Sequence, residues 1–326
     1  MIVYEPPAAT RNIPIIDFSG ASSGDPEARV AVAHEIHKAG RETGFFYLTG
    51  HGVPAEIMAR QLLFSRLFFE QTLDRKLEVR MANSANMRGY DPIGRQALDV
   101  DSPPDLKESF VLGRDLGPDH PLVQRGIPFE GPNQWPAGLP GFRPQMETYT
   151  AEMIRLGQQL GAMLSLSLEL PEDYLDEGLA EPNCAVRLLR YPPHPADAAF
   201  NQLGAGAHTD WGLLTILLQD GSGGLEVRNT EGTWLRADPM PGAFVINLGD
   251  MVPRMTNGLY HSNYHRVLNN VAGTDRYSVA TFFNPPFDYI FACVPTCLPD
   301  GAQQPEPCSF GEHIQDMMRR TQAAPA

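Results

Sequence analysis

The sequence predicts a mixed α+β protein in which a helix-bearing first half packs around a β-rich second half of sandwich or barrel type. Apolar residues recur at helical spacing in two long stretches, at Ile57, Met58, Leu62, Leu63, Leu67 and Phe68 and again at Met146, Tyr149, Met153, Leu156, Leu160 and Met163. Each pattern marks an amphipathic helix with one buried face. After residue 183 the character changes to short apolar runs at 185–191, 213–218, 225–228, 234–237, 243–248, 260–268 and 277–283, separated by turn residues. Short strands at regular spacing are the signature of a sandwich or barrel. No internal repeat or long linker separates the halves, so one structural unit over 1–326 is expected, with a mixed N-terminal region at 12–130 and a β core at 180–290.

In chain order, Asn12-Ile13-Pro14-Ile15-Ile16-Asp17-Phe18 reads as a strand that leads through a Gly/Ser turn cluster into a helix over 26–41. Within that helix His34 and His37 are expected at the surface or as caps rather than as ligands. A second strand over 44–50 leaves through His51-Gly52-Val53-Pro54 into a helix over 55–71. From 83 to 144 periodicity is lost and Gly and Pro are frequent, which predicts long loops able to cover a pocket. Within it, Met87-Arg88-Gly89-Tyr90 and the stretch 105–110 are the lid candidates, and Arg88 and Tyr90 the candidate substrate contacts. A helix over 145–170 follows and ends at Pro171. Asn229-Thr230-Glu231-Gly232 reads as a hairpin loop.

A formal net charge of −14 argues against a nucleic-acid or anionic-membrane partner, because phosphate binding depends on clustered Lys and Arg. A small-molecule substrate is the expected partner, with no obligate protein partner evident. The start of the chain lacks a basic-then-apolar signal pattern, and no apolar run of about 18 residues occurs, so a cytoplasmic protein is expected. Cys184, Cys293, Cys297 and Cys308 form no CxxC pattern and are expected as free thiols.

Chemistry concentrates in the β half. His208 and Asp210 sit two residues apart at the start of an extended run, so both side chains share one face and can supply two corners of a metal site. The third ligand can come from His261 or His265. Four residues apart on a strand they lie about 13 Å from one another, so only one can reach the same ion, and spacing does not choose between them. Arg276 and Ser278 share a face further on and form a candidate anion clamp: the guanidinium grips a carboxylate and the hydroxyl adds a hydrogen bond. Phe282 continues that face as an apolar wall.

His208-Thr209-Asp210, His265-Arg266-Val267, Arg276-x-Ser278 and Asn284-Pro285, in this order, resemble the Fe(II)- and 2-oxoglutarate-dependent dioxygenases of the isopenicillin N synthase-like branch. Gly44-Phe45-Phe46-Tyr47, Gly50-His51-Gly52-Val53-Pro54, Asn247-Leu248-Gly249-Asp250 and Thr256-Asn257-Gly258 extend the likeness over nearly the whole chain. The resemblance implies a distorted double-stranded β-helix, or jelly roll, core with flanking helices, at 180–290. It implies iron held by His208, Asp210 and His265, which settles the choice against His261. It further implies 2-oxoglutarate bound through Arg276 and Ser278 with support from Tyr191, a substrate-facing Phe282, and O2 as co-reactant. Hydroxylation of a small molecule coupled to decarboxylation of 2-oxoglutarate to succinate and CO2 is the implied reaction.

Leu189-Arg190-Tyr191-Pro192 departs from the Asn-Tyr-Tyr-Pro of many plant members and puts plant-like substrates in doubt; Arg190 is a candidate contact to an acidic substrate group. The alternatives are a 2-oxoglutarate-independent oxidase of the isopenicillin N synthase type, a non-catalytic jelly-roll binding protein and a zinc hydrolase. An intact triad opposes the second, and the Arg-x-Ser clamp favours iron over zinc.

Overall fold

A computed structural model of the chain describes residues 4, 12–94, 104–194, 202–268, 270, 273–299 and 301–323. In chain order the strands are β1 (Ile15–Asp17), β2 (Phe45–Thr49), β3 (Gly89–Asp91), β4 (Glu108–Gly113), β5 (Asn183–Tyr191), β6 (Ala205–His208), β7 (Leu214–Gln219), β8 (Leu225–Arg228), β9 (Trp234–Arg236), β10 (Phe244–Leu248), β11 (His265–Val267) and β12 (Arg276–Asn284). A two-stranded ribbon, β13 (Ile290–Phe291) with β14 (Cys308–Ser309), completes the set among the described residues. The larger sheet runs β1-β2-β10-β7-β12-β5-β4-β3 and the smaller β6-β11-β8-β9. The two face each other as a double-stranded β-helix, and helices cover the outer face of the larger sheet.

Period-two alternation explains why one sheet serves two cores. Along β12, Tyr277, Val279 and Phe283 join the large cluster under the helices, whereas Ala280 and Phe282 belong to a smaller cluster shared with Leu225, Val227 and Val267 of the opposing sheet. The helix Phe142–Ser167 packs on the outer face with Met146, Tyr149, Met153 and Leu156 fully buried. Gly157 on that helix lies so close that an added Cβ would sit 2.5 Å from the Phe283 ring. Gly157→Ala is therefore expected to destabilise the fold by about 1–3 kcal/mol through overpacking, more than the roughly 1 kcal/mol that alanine returns in helix propensity. Thermal unfolding checks this, and an unchanged or raised Tm contradicts it.

Several sequence expectations change. The stretch 83–144 is not loop throughout. Its residues Gly89–Asp91 and Glu108–Gly113 form β3 and β4 on the edge of the larger sheet, while 95–103 lie outside the described residues. β4 is buried at five of its six positions, so it has no polar face and no alternation to read. The helix expected over 55–71 ends at Phe69, and a short one resumes at Leu73–Glu78. The later helix stops at Ser167, before Pro171, and Glu169 adopts a left-handed φ of 56°.

Only His265–Val267 of the run 260–268 is strand. The preceding residues are tied elsewhere: the Tyr260 hydroxyl donates to the Ser167 carbonyl at 2.9 Å, and the His261 N–H donates to the Gly40 carbonyl at 2.9 Å. His37, expected at the surface, is buried against the Ser167 carbonyl and the Tyr260 hydroxyl, each 3.0 Å from Nδ1. No described helix is long and apolar enough to cross a membrane.

Candidate active site

β6 and β11 pair antiparallel with His208 opposite His265, and this register brings the two imidazoles to a centroid separation of 4.2 Å. Asp210 follows β6 by two residues. Its Oδ1 lies 3.8 Å from His208 Nε2 and 3.9 Å from His265 Nε2. Among the described residues this is the one group of His, Cys, Asp or Glu side chains placed to hold a metal ion. His261 is not in it.

The polar partners of His208 and Asp210 prepare them for an ion, whereas His265 Nδ1 is buried without a hydrogen-bond partner among the described residues. A carbonyl only accepts, so the 2.8 Å contact between His208 Nδ1 and the Gly206 carbonyl puts the proton on Nδ1 and leaves the Nε2 lone pair directed at the cluster. Asp210 Oδ2 accepts from the Thr215 hydroxyl at 2.6 Å and from the Asn247 amide at 2.8 Å, which leaves Oδ1 toward both histidines. Burial, then the neighbouring His265, pushes the His208 imidazolium down to about 3, so the ring is neutral at pH 7. Burial raises the Asp210 carboxyl, but His265, His208 and the two hydrogen bonds outweigh it and hold the group below its ordinary value. Two imidazoles and one carboxylate around an open face is the donor set of a non-haem Fe(II) centre. With metal–donor bonds of about 2.0–2.2 Å, two donors on one ion lie up to roughly 4 Å apart, and the separations above fit.

The loop that carries Asp210 is clamped by the Leu248-Gly249-Asp250 turn. Gly249 N–H donates to the Leu213 carbonyl at 2.9 Å and Asp250 N–H to the Asp210 carbonyl at 2.8 Å. A Cβ on Gly249 would stand 2.1 Å from the Gly212 carbonyl oxygen, so only glycine allows this approach. Thr215→Val and Asn247→Ala are each expected to weaken metal binding about 10–100-fold, the usual cost of losing a partner that orients a ligand. Competition with a chromophoric chelator measures it, and a change below about threefold would show that Asp210 is held without them.

The cluster opens on a cavity of about 1000 Å³ between the two sheets. Arg276 and Ser278 line it, and Phe282 and Tyr191 complete the same wall. Arg276 is opposite Tyr191 in register, its guanidinium stacked 4.7 Å over that ring. It donates from Nε to the Gly223 carbonyl at 2.6 Å and from Nη2 to Gln219 Oε1 at 3.1 Å, and Nη1 stands 3.4 Å from the Ser278 hydroxyl. The residue is 2% exposed, and among the described residues no carboxylate pairs with it. A buried guanidinium held only by neutral groups is a receptor for an anion.

Arg88, Tyr90 and Arg190 are not brought to this cavity, which corrects the expectation that they contact substrate. Alternation is the reason: Arg190 is the strand neighbour of Tyr191 and pairs with Tyr277, and Tyr90 pairs with Phe110, so both fall on the helix-covered face. There Glu108 gathers Tyr90 (2.5 Å), Lys76 (2.8 Å) and Arg190 (2.5 Å), and Asp275 also pairs with Arg190 at 2.8 Å. Arg88 is buried against Gly113 and donates to the Phe129 carbonyl at 2.8 Å. The lining instead includes Lys107, from the stretch 105–110 expected as a lid, and Arg187, which the sequence reading passed over, together with Trp234 and Tyr264. It also includes Ile314 and Met317 of the helix Phe310–Ala323. His313 Nε2 of that helix donates to the Trp211 carbonyl at 2.8 Å and fixes it beside the metal-binding loop. For Arg187 a signal existed, since it stands four residues before Tyr191 and shares its face; nothing local announces Ile314 or Met317.

Residues 13–138 match the family described as non-haem dioxygenase in morphine synthesis N-terminal, and residues 182–285 match the 2OG-Fe(II) oxygenase superfamily. A 2-oxoglutarate-Fe(II) type oxidoreductase of Emericella nidulans is 37% identical over 313 residues, covering 94% of this chain and 88% of that protein. A 2-oxoglutarate-dependent dioxygenase of Didymella fabae is 41% identical over 266 residues, 79% of this chain and 80% of that protein. A full-length Neurospora crassa protein, solved as a crystal structure in complex with alpha-KG, superposes with a TM-score of 0.84 at 28% identity, over 95% of this chain and 96% of that one. The same protein is also solved with alpha-KG and thymine, at a TM-score of 0.82 and 28% identity, over 95% of this chain and 97% of that one. With the donor set, the buried anion receptor and these relatives together, the chain belongs to the 2OG-Fe(II) oxygenase superfamily and is an Fe(II)- and 2-oxoglutarate-dependent oxygenase.

Proposed function

We propose that His208, Asp210 and His265 are the three protein ligands of the iron, that Arg276 and Ser278 hold the distal carboxylate of 2-oxoglutarate with Tyr191 stacked behind, and that Phe282 faces the substrate. The observation that carries this is the division of labour at Asp210: one oxygen is occupied by Thr215 and Asn247, and the other lies within 4 Å of both Nε2 atoms. Fe(II) with 2-oxoglutarate and O2 supplies an oxidant for a carbon–hydrogen bond, with succinate and CO2 as coproducts. The chain's own part is to keep His208 neutral with its proton on Nδ1, to anchor the cosubstrate at one end of the cavity, and to present one substrate carbon at the open face. Hydroxylation is the default outcome, and desaturation, demethylation or ring formation would need only a different substrate pose.

A cavity of about 1000 Å³ suits a small organic molecule, as with the thymine of the N. crassa complex. Strands β1 to β4 of the 12–130 region sit in one sheet with strands of the 180–290 core, which supports reading 1–326 as one structural unit. All four cysteines stand free, in keeping with a reducing cytoplasmic setting.

Titrating the anaerobic Fe(II) protein with 2-oxoglutarate tests the assignment. A metal-to-ligand charge-transfer band is expected for the wild type, no iron for His208→Ala, and iron with a much weakened band for Arg276→Leu. A full band in either variant refutes the corresponding role.

A further inference from the structure

Among the described residues, four cationic side chains, Lys107, Arg187, Arg228 and Arg276, line the cavity, against a single acid, Asp210. With Arg276 committed to the cosubstrate, the buried Lys107 and the half-buried Arg187 are the other positive groups that line the cavity beside β6, Arg228 being exposed. Both face inward by sheet register: Arg187 lies opposite Ala280 on β12, and Lys107 directly precedes β4, whose Ser109 lies opposite Leu189. Lys107 is 6% exposed. Its Nζ donates one hydrogen bond to Asp105 Oδ2 at 2.8 Å, while Asp105 Oδ1 accepts the Gly206 N–H at 2.9 Å. Asp105 thus positions the ammonium beside β6, the strand that ends in His208. The Arg187 guanidinium donates to the Ser109 hydroxyl at 3.0 Å.

Bringing two like charges together costs free energy; Asp105 and Asp91, which act on both groups, offset part of it, and a substrate anion seated between the two cations adds to that offset. Lys107 registers this cost: burial, then the charge of Arg187, pushes its ammonium down to about 8 even with Asp105 bound. The fields of the pair reach the metal cluster, Arg187 acting on Asp210 and Lys107 on His208. A carboxylate seated there lies next to the open face of the iron site. Leu217, Trp234, Phe282 and Met317 add apolar and aromatic wall, beside the polar Thr209, Thr215, Asn247 and Asn284.

We propose that Lys107 and Arg187 form the carboxylate subsite of the substrate, so that this oxygenase acts on a small organic acid with an apolar body. The proposal rests on the reading that Arg276 and Ser278 hold 2-oxoglutarate. It also moves the acidic-substrate contact from Arg190, which is engaged by Glu108 and Asp275 on the other face, to Arg187.

The test uses the full-length protein loaded anaerobically with Fe(II) and 2-oxoglutarate. Phenylacetate, 3-phenylpropionate and octanoate are each compared with their primary amides, binding being read calorimetrically and from the change in the charge-transfer band. The wild type is expected to bind at least one acid tenfold or more tighter than its amide, the scale of one charge-assisted contact. Lys107→Met and Arg187→Met are each expected to cut that preference below threefold, while 2-oxoglutarate affinity shows that the site is intact.

Amides binding as well as acids, no acid binding to a wild type that binds 2-oxoglutarate, or a preference surviving both substitutions overturns the proposal. Loss of 2-oxoglutarate binding in both variants assigns the pair to the cosubstrate and overturns it as well. A wild type that binds no 2-oxoglutarate refutes the underlying reading instead. The charged groups around Lys107 are Asp105, Arg187 and Asp91, with His208 beyond. Because the ammonium is cationic below about pH 8 and neutral above it, acid affinity in the wild type is expected to fall as pH rises through that value, and to stay level in Lys107→Met.

Discussion

Replacing His208 by alanine is expected to remove iron binding and to lower 2-oxoglutarate turnover by about 10³-fold or more, since the ion supplies several kcal/mol of the chemistry. The size follows from how little can substitute. His208 Nε2 is aimed by the Gly206 carbonyl, and no other described His, Cys, Asp or Glu side chain belongs to the cluster. Loss of the imidazole leaves Asp210 Oδ1 facing only His265. His261→Ala is the matched control, because that residue is tied to Gly40 through its backbone and stands outside the cluster. Iron stoichiometry and the charge-transfer titration read both variants. Full iron occupancy in His208→Ala, or its loss in His261→Ala, contradicts the ligand assignment.

Arg276→Leu is expected to raise the KM for 2-oxoglutarate by about 30–150-fold, the equivalent of 2–3 kcal/mol for a charge-assisted fork that is lost from a buried site. The substitution also deprives Gln219 Oε1 and the Gly223 carbonyl of their donor, so part of the effect is disorder in the pocket wall. Arg276→Lys separates the two contributions. It keeps the charge but not the planar fork and should recover only part of the affinity. Steady-state KM for 2-oxoglutarate, set beside the affinity for the organic acid, is the deciding measurement. A rise confined to the acid would reverse the assignment of the two cationic subsites.

Much of the metal site is legible locally. His208-x-Asp210 announces two donors through period-two geometry, and Arg276-x-Ser278 announces the anion clamp in the same way. The choice between His261 and His265 is not local. It depends on β11 pairing with β6 so that His265 faces His208, and on Tyr260 and His261 being drawn away to Ser167 and Gly40. Strand alternation, applied strictly, would also have excluded Arg190 once Tyr191 was placed in the cavity, since neighbours on a strand point to opposite faces. β4 escaped because a strand buried on both faces carries no alternation, and its Gly- and Pro-rich surroundings resemble loop.

By itself, the sequence determined the mixed α+β fold class, which follows from apolar periodicity, and, through the resemblance that its ordered motifs carry to Fe(II)- and 2-oxoglutarate-dependent dioxygenases, the oxidising chemistry and the cosubstrate. Only the tertiary structure decided which charges line the cavity beside the metal cluster. Lys107 reaches the cavity because β4 joins the sheet edge and Asp105 bonds across to β6, and Arg187 reaches it because β5 pairs with β12 in one particular register. Ile314 and Met317 reach it because a helix about 100 residues further along the chain docks on the Trp211 carbonyl. These contacts are long-range in sequence, and their energies come from packing and paired burial, which no local pattern encodes.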